Sequence, residues 1–355
     1  KNNCYLEPVA ALLSRNTGHP VKLVMTREEV FNGSGPTPGT HMRVKMGATK
    51  DGKITAAQAY LAFEAGGFPG SVISPGCQCV FAPFKLTNVK IEGFDVVVNR
   101  PKTHAYRAPG ATQAAFAVET VIDEIANKLE MDQIEFRLKN AAKEGTRISA
   151  GPVFSRIGCV AMLEAMKNHP HYNAPIDEPN KGRGIAIGYW MNSGMKSGCA
   201  ISVGGDGTIG LIEGSPDIGG SRASISMQAA EVLGIPAEDV RPSVVDTDSI
   251  SYHDATGGSR TTYGTGWAAY EAAQDVKRQM IDRAATIWSI DSSSVEMLDG
   301  IFRSKTDTEL KMTFKELAAE LNDTGGPITG RGNVDPKGAG VAFAGAVHVD
   351  VALVG

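Results

Sequence analysis

The sequence predicts an α+β fold in two domains, each built from mixed sheets with helices on their faces. Three observations point there. Apolar/polar alternation bounded by turn dipeptides such as Asp51-Gly52 and Asp206-Gly207 marks strands in both halves of the chain. Long stretches of helical period, at 113–128 and 266–288, each follow a loop rich in glycine. The same grammar runs twice, on either side of a Pro/Asn/Asp-rich stretch from Asn173 to Gly182. The chain has 355 residues, room for two domains at ~100–200 residues each. The expected division is 1–150 for the first domain, 151–182 for a linker and 183–355 for the second.

In order along the chain, 6–13 reads as a helix closed before Gly18, and 21–25 as a buried strand. Thr26 with Glu29 three residues on is a capping box, in which hydroxyl and carboxylate each take the other residue's backbone N–H. Strands follow at 42–48 and 54–63, turned by Asp51-Gly52, and at 89–98 before Pro101. The Gly/Pro loop 106–110 opens the helix of 113–128. Asp132 caps the next helix, expected to end near Gly145 with Lys139 and Lys143 in its last turns, where cations suit the helix dipole. The second half gives strands at 184–190, 199–203 and 208–213, the loop 215–221, a helix to about Leu233 and a strand at 240–245. The loop 256–262, the helix 266–288 and a last alternating strand at 346–353 complete it.

Composition excludes several classes of function. With 42% hydrophobic and 21% charged residues the chain fills real cores and is not disordered. A net charge of −4, mixed along the sequence, offers no basic patch for nucleic acid. No apolar run approaches the ~18–20 residues of a membrane span. Five cysteines are scattered, and the only close pair, Cys77 and Cys79, is C-x-C without a histidine pair beside it. That spacing predicts free thiols in a reducing, cytoplasmic compartment, and no metal ligands or iron–sulfur cluster within the chain. The chain opens on Lys1 almost directly into a helical pattern and stops at Gly355 just past a strand. Both ends are therefore expected to be cuts in a longer polypeptide.

Three loops that open helices contain glycine, at Gly110, at Gly219-Gly220 and at Gly257-Gly258. Such a loop lets backbone N–H groups approach an anion closely, and the helix N-terminus adds a favourable dipole. One alone is more often a tight connection. Three in one chain, two of them with Arg and hydroxyl neighbours (Ser221-Arg222 and Ser259-Arg260-Thr261-Thr262), point to a phosphate or polyanionic ligand. None is a Walker loop or a dinucleotide fingerprint. Arg107, just before Ala108-Pro-Gly110, has the position to present a fixed fork to an oxyanion, although the residues alone favour a surface or C-capping arginine.

Tyr106-Arg-Ala-Pro-Gly-Ala-Thr-Gln113 and the helix after it resemble the arginine loop of the molybdenum hydroxylases of the xanthine dehydrogenase/aldehyde oxidase family. Three further stretches resemble that family in the same order. Residues 7–13 with Thr17-Gly-His-Pro-Val-Lys-Leu-Val-Met-Thr-Arg-Glu-Glu29 are similar to the segment after its Phe-Gly-Gly cofactor loop. Gly214-Ser-Pro-Asp-Ile-Gly-Gly220 with Gln228-Ala-Ala-Glu-Val-Leu-Gly-Ile-Pro236 resembles its Gly-Gln-Gly loop and following helix. Gly258-Ser-Arg-Thr-Thr-Tyr-Gly264 resembles its pterin loop.

The resemblance covers essentially the whole chain and implies the fold of a molybdenum-cofactor-binding domain pair. It also implies a molybdopterin cofactor, with or without a cytosine dinucleotide extension, and hydroxylation of an aldehyde or N-heteroaromatic carbon by water. Iron–sulfur and FAD subunits or domains would be the electron-carrying partners, and the complete enzyme a homo-oligomer. Carried over by position, Arg107 would be catalytic, stabilising negative charge that develops on the substrate. Tyr106, Arg107, Ala108, Gly219, Gly220, Gly258, Ser259, Arg260, Thr261 and Thr262 would bind the cofactor, and Asn2, Phe154, Ile187 and Tyr189 the substrate. The sequence departs from the family at several points. Its Phe-Gly-Gly loop would fall before Lys1, and its catalytic glutamate beyond Gly355. Its Gly-Gln-Gly glutamine is Gly220 here, and Asn2 stands where purine-specific members carry a glutamate, which disfavours purines. On these departures the isolated fragment is expected to lack the cofactor and to be inactive. A non-catalytic scaffold for a phosphorylated ligand or pterin is the alternative.

Overall fold

A computed structural model describes residues 4–176, 181–246, 248–250, 252–336 and 341–351. The chain divides into two compact units, Lys1–Trp190 with Gly340–Gly355, and Met191–Ala339.

The first unit begins with helices α1 (Glu7–Thr17) and α2 (Arg27–Gly33). The capping box forms as its spacing requires: Thr26 Oγ1 accepts the Glu29 N–H at 3.2 Å, and Glu29 Oε2 accepts the Thr26 N–H at 2.7 Å. The segment between the helices, expected as a buried strand, joins no sheet among the described residues, and Val24 is 72% exposed. Its alternation is real, but without a ladder partner it remains extended chain. Strands β1 (Thr40–Ala48) and β2 (Ile54–Gly66) form an antiparallel hairpin; α3 (Ile73–Cys79) then leads to β3 (Val89–Val97), which lies parallel to β2. Helices α4 (Ala111–Lys128) and α5 (Gln133–Asn140) follow, the second capped by Asp132, whose Oδ1 accepts the Ile134 and Glu135 N–H groups at 2.9 Å each.

Helix α5 stops at Asn140 and does not run on towards Gly145. The Asn140 side chain bonds the β1–β2 turn, accepting from Ile54 N–H at 2.9 Å and donating to Gly52 O at 2.8 Å, while the next residues pair with 83–85. Helices α6 (Cys159–Lys167) and α7 (Pro170–Asn173) and strand β4 (Lys181–Met191) complete this run. The expected linker is thus not a free connector in its described part. Cys159, Leu163 and Met166 of α6 are buried in one core with Phe63, Ile122 and Phe136. Residues 177–180 of that stretch lie outside the described residues.

The second unit is organised around α8 (Ser221–Leu233) and α9 (Gly266–Trp288). Strands β5 (Ser197–Val203) and β6 (Ile209–Glu213) pair antiparallel; α8 crosses to β7 (Val240–Val244), parallel to β6. A small antiparallel sheet of β8 (Val295–Leu298), β9 (Ile301–Ser304) and β10 (Lys311–Thr313) precedes α10 (Phe314–Ala319) and β11 (Thr329–Val334). The main sheet has the order β11-β5-β6-β7, and the final strand β12 (Val341–Val351) pairs with β4. Both units therefore repeat one plan, an antiparallel hairpin followed through a helix by a strand parallel to its second arm. Helix α9 lies so close to β11 that a Cβ at Gly330 or Gly332 would collide with the Ala272 or Ala268 carbonyl. That approach explains why small residues, Ala268 and Ala272, stand on this face of α9.

Among the described residues no helix is long and apolar enough to cross a membrane, and no three His, Cys, Asp or Glu side chains are grouped to hold a metal ion.

Candidate functional site

In the first unit the arginine loop is pinned at both ends and free in the middle. Thr103 donates its N–H to Ala65 O at 3.0 Å and its hydroxyl to Glu64 O at 2.9 Å, and the His104 N–H reaches Pro36 O at 2.8 Å. On the far side Gln113 Nε2 donates to Thr37 Oγ1 at 2.8 Å. Gly110 caps α4 at φ 82°, pressed against α3 so that a Cβ would collide with the Val72 carbonyl. Between these anchors Ala108 takes φ 50°, a strained value for a non-glycine residue, more so before a proline. Tyr106 and Arg107 stand exposed, and the Arg107 guanidinium has no hydrogen-bond or ion-pair partner among the described residues. The loop therefore presents an uncommitted cation on a fixed base.

The expected substrate residues divide. Asn2 lies outside the described residues. Ile187 and Tyr189 point to the same buried face of β4, with Ile185. Phe154 and Tyr189 do meet, at 5.8 Å between ring centroids, but Phe343 of β12 joins both, at 5.7 and 5.5 Å. Phe154 and Phe343 pack edge to face, Tyr189 is tilted against both, and the three rings close on one another. Burial also pushes the Tyr189 phenol up to about 12. This arrangement is an aromatic wall held in the core.

Beneath it lies a buried ion network that sequence reasoning did not single out. Arg137 is fully buried and donates from Nε to Glu119 Oε2 at 3.0 Å, with Nη2 in ion-pair contact with the same oxygen at 2.9 Å, and from Nη2 to Asp123 at 2.7 Å. It also donates to the Ile185 carbonyl at 3.3 Å, while Glu119 Oε2 accepts the Ile187 N–H at 2.8 Å. Burial raises the Glu119 pKa, with Arg137 opposing the shift. The network fastens β4, and with it Ile187 and Tyr189, to α4 and α5.

In the second unit Gly219 and Gly220 adopt φ 51° and 91° on an exposed turn, and nothing stands within 4 Å of where either Cβ would be. Open space on that side is what a backbone cradle requires. The start of α8 is partly occupied by the chain itself. Asp217 Oδ1 accepts from the Arg222 N–H at 3.2 Å and from the Ser221 hydroxyl at 3.1 Å, and its other oxygen pairs with the Arg222 guanidinium at 3.2 Å. Those contacts hold the Asp217 carboxyl below its ordinary range.

The loop before α9 is the more elaborate one. Gly258 and Ser259 both have positive φ, 63° and 56°, and Arg260 then returns to the right-handed helical region. Such a reversal turns successive N–H groups to one side. Among the described residues the N–H groups of Ser259 and Arg260 reach no acceptor. Residues Thr261–Thr265 form one π-helical turn leading into α9, a rare form that often marks functional positions. Thr261 Oγ1 is buried and without a partner, while Thr262 is exposed.

Arg260 turns the other way, its side chain fully buried in the protein. It donates to the carbonyls of Gly194 (3.3 Å), Asp254 (2.8 Å) and Lys196 (2.8 Å) and to the Ser197 hydroxyl. The guanidinium is a clamp for its own unit, which leaves only the backbone of this residue for a ligand. Gln228 of α8 donates to Thr262 O at 3.3 Å, so the start of α9 meets α8 about 10 Å along its axis, at ~1.5 Å per residue from Ser221. An open groove of about 700 Å³ beside this contact is lined by Tyr263, Trp267 and Tyr270; Gly219, Gly220 and Ser259 do not line it, so it is not the cradle.

This donor set suits an anionic group rich in acceptors. Its members are free backbone N–H groups at Ser259 and Arg260, open space at Gly219 and Gly220, and a buried Thr261 hydroxyl that lacks a partner. Comparison with known proteins identifies that class of ligand. The molybdopterin cofactor-binding domain family matches residues 1–141 and again residues 161–353.

The chain belongs to this family.

It is 27% identical to the putative xanthine dehydrogenase molybdenum-binding subunit of Escherichia coli (strain K12), over 99% of this chain and 50% of that protein. The aldehyde oxidoreductase molybdenum-binding subunit of the same organism is 28% identical over 82% of this chain and 40% of its own length. The chain thus spans about half the length of the curated relatives it matches. Among solved structures, the quinoline 2-oxidoreductase of Pseudomonas putida 86 shares the fold with a TM-score of 0.81 at 20% identity, over 96% of this chain and 48% of that one. The CO dehydrogenase of Oligotropha carboxidovorans does so at 0.80 and 23%, with the same coverage. The molybdenum-cofactor-binding fold expected from the sequence is the fold observed.

Proposed function

We propose that this chain is the cofactor-holding part of a molybdenum-dependent hydroxylase acting on an aldehyde or an N-heteroaromatic carbon. The observation that carries the reading is Arg107, a cation without a partner among the described residues, on a strained loop anchored at both ends, in a chain whose two halves both match a molybdopterin-binding domain. Gly219, Gly220, Gly258, Ser259 and Arg260 would give backbone contacts to the pterin and its phosphate, and Thr261 and Thr262 hydroxyl contacts. By the resemblance, Tyr106, Arg107 and Ala108 would be cofactor contacts as well. When bound, the cofactor supplies the two-electron oxidation and the transfer of a water-derived oxygen. Within that chemistry Arg107 orients the substrate and offsets its developing negative charge, a role in which a removed donor costs ~10²–10³ in rate.

The cofactor would be molybdopterin, with or without a cytosine dinucleotide, and the electrons would leave through iron–sulfur and FAD partners in a homo-oligomeric enzyme. Phe154, Ile187 and Tyr189 would wall the substrate pocket, and Asn2 would replace the acidic contact that favours purines. Turnover of the complete enzyme on a panel of aldehydes, N-heteroaromatic acids and xanthine tests this reading. Preferred oxidation of an aldehyde or heteroaromatic acid, lost in Arg107→Gln, is expected. Preference for xanthine, or an Arg107→Gln enzyme with unchanged kcat, would contradict it.

A further inference from the structure

His253 lies on the loop between β7 and Gly258, half-buried, and both its ring nitrogens are engaged. The backbone N–H of Gly214 points at Nε2 from 3.2 Å. A backbone N–H only donates, so Nε2 holds the lone pair and Nδ1 the proton. Nδ1 is 3.4 Å from Ser215 Oγ, which is 2.7 Å from Thr265 Oγ1, itself 3.3 Å from Ser197 Oγ. Ser197 Oγ also accepts from the Arg260 guanidinium. Ser197, Ser215, Thr265 and Arg260 are all buried. The polarity of the chain follows from its two ends: donors run from His253 through Ser215 and Thr265 to Ser197, where they meet those of Arg260. Ser215 therefore accepts a hydrogen bond from the imidazole and is no activated nucleophile. The chain joins four backbone segments, at 197, 214–215, 253–254 and 260–265, and the second and third lead directly into the glycine loops of the candidate site.

We propose that His253 is a positioning residue, whose neutral, Nδ1-protonated ring locks the Gly214–Gly220 loop to the loop before α9. The proposal rests on the cofactor-holding reading for its purpose, though not for its test. A second proton has to go to Nε2, where it would face the Gly214 N–H at hydrogen-bond distance. The charged ring would also lie near Arg260. The other titratable groups on the elements meeting His253 are Glu213 at the end of β6, Asp217 on the Gly214–Gly220 loop, Lys196 ahead of β5, and Asp246, Asp248, Tyr252 and Asp254 on its own loop. Glu213 is itself engaged, accepting the Ser215 N–H at 2.5 Å, and burial raises its pKa. Asp254 is occupied by Lys196 N–H and the Tyr252 hydroxyl, at 2.7 and 2.8 Å. Burial and Arg260 both hold the His253 pKa below its ordinary value, and the Gly198 carbonyl only partly opposes them. The closed loop therefore resists protonation more than the opened one. Closure is complete above the ordinary histidine pKa of ~6.5 and is lost progressively as pH falls below it.

The test uses the whole chain with ¹⁵N-labelled histidine and no added ligand. Long-range ¹H–¹⁵N spectra are expected to show His253 as the Nδ1–H tautomer, with a pKa below 6.5. Hydrogen exchange of peptides covering 214–220, corrected for intrinsic rates, is expected to lose up to about tenfold in protection at pH 5.5, one unit below the pKa of the opened state. In His253→Gln, whose side chain can still accept from Gly214 and donate onward, that pH dependence is expected to vanish while the protection remains. A merely space-filling histidine would show no such rescue. An Nε2–H tautomer, a pKa at or above 6.5, or the same pH profile in His253→Gln would overturn the proposal. If His253→Gln does not fold, the wild-type tautomer and titration decide it. None of these readouts depends on molybdenum, so the latch and the cofactor reading fail separately.

Discussion

Replacing Arg137 with methionine should expose how the aromatic wall is held. The substitution keeps a long apolar stem but removes the donors on Glu119 Oε2, on Asp123 and on the Gln133 and Ile185 carbonyls. Glu119 would be left with the Ile187 N–H alone, in a site where its Oε1 already lacks a partner. Breaking one side of a buried pair typically costs about 3–5 kcal/mol. The carboxyl has an escape, because it can take up a proton. From a reference of 4.5 this costs about 4 kcal/mol at pH 7.5 and about 1.4 kcal/mol at pH 5.5, at ~1.36 kcal/mol per pH unit. The folded-state pKa of Glu119 is already raised by burial, and loss of the opposing Arg137 charge raises it further. A raised carboxyl pKa means the folded state holds its proton longer, so stability falls as pH rises from 4.5 through the folded value. The variant is therefore expected to unfold at lower urea than the wild type, by about 4 kcal/mol at pH 7.5, with the gap narrowing by up to about 2.7 kcal/mol at pH 5.5. Urea unfolding of both proteins at both pH values, followed by far-ultraviolet circular dichroism, measures it. A gap under about 1 kcal/mol at pH 7.5, or one that does not change with pH, would refute the reasoning.

Two arginines of the candidate site should behave in opposite ways. Arg107→Gln is expected to leave stability within about 0.5 kcal/mol in thermal unfolding, since the side chain is exposed and unpaired, while lowering kcat of the complete enzyme by about 10²–10³. Arg260→Met is expected to cost more than about 3 kcal/mol in the same assay, because it strands three carbonyls and the Ser197 hydroxyl. Thr261→Val removes a buried hydroxyl without a partner, so the ligand-free chain is expected to be unchanged or up to about 1 kcal/mol more stable, as chemical denaturation would record.

Much of the fold was legible because its signals are local. The Thr26/Glu29 box, the Asp132 cap, the hairpin at Asp51-Gly52 and the start of α9 at Gly266 each depend on residues within a few positions of one another. The failures came from contacts distant in sequence. Val21–Met25 alternates like a strand but pairs with no neighbour among the described residues. The α6 segment looked like part of a linker because only the distant Phe63 and Ile122 make it core. The inward turn of the Arg260 side chain was equally hidden, because its acceptors at Gly194 and Lys196 lie more than 60 residues away. Phe343 completes a ring trio with residues more than 150 positions earlier, which no spacing rule anticipates. His253 stood next to a glycine loop with no partner in view, since Gly214 and Ser215 are 39 and 38 residues distant.

The central claim, that this chain holds a molybdenum cofactor, is tested most directly by metal analysis. The isolated 355-residue chain should be assayed beside the complete enzyme to which we assign it. Affinity for a rigid polyanion comes from many preorganised donors acting together, and this chain spans about half the length of its relatives. The account predicts about one molybdenum per complete polypeptide, with pterin released on denaturation, and far less than one in the isolated chain. A complete enzyme free of molybdenum and pterin, after expression with molybdate, would contradict it.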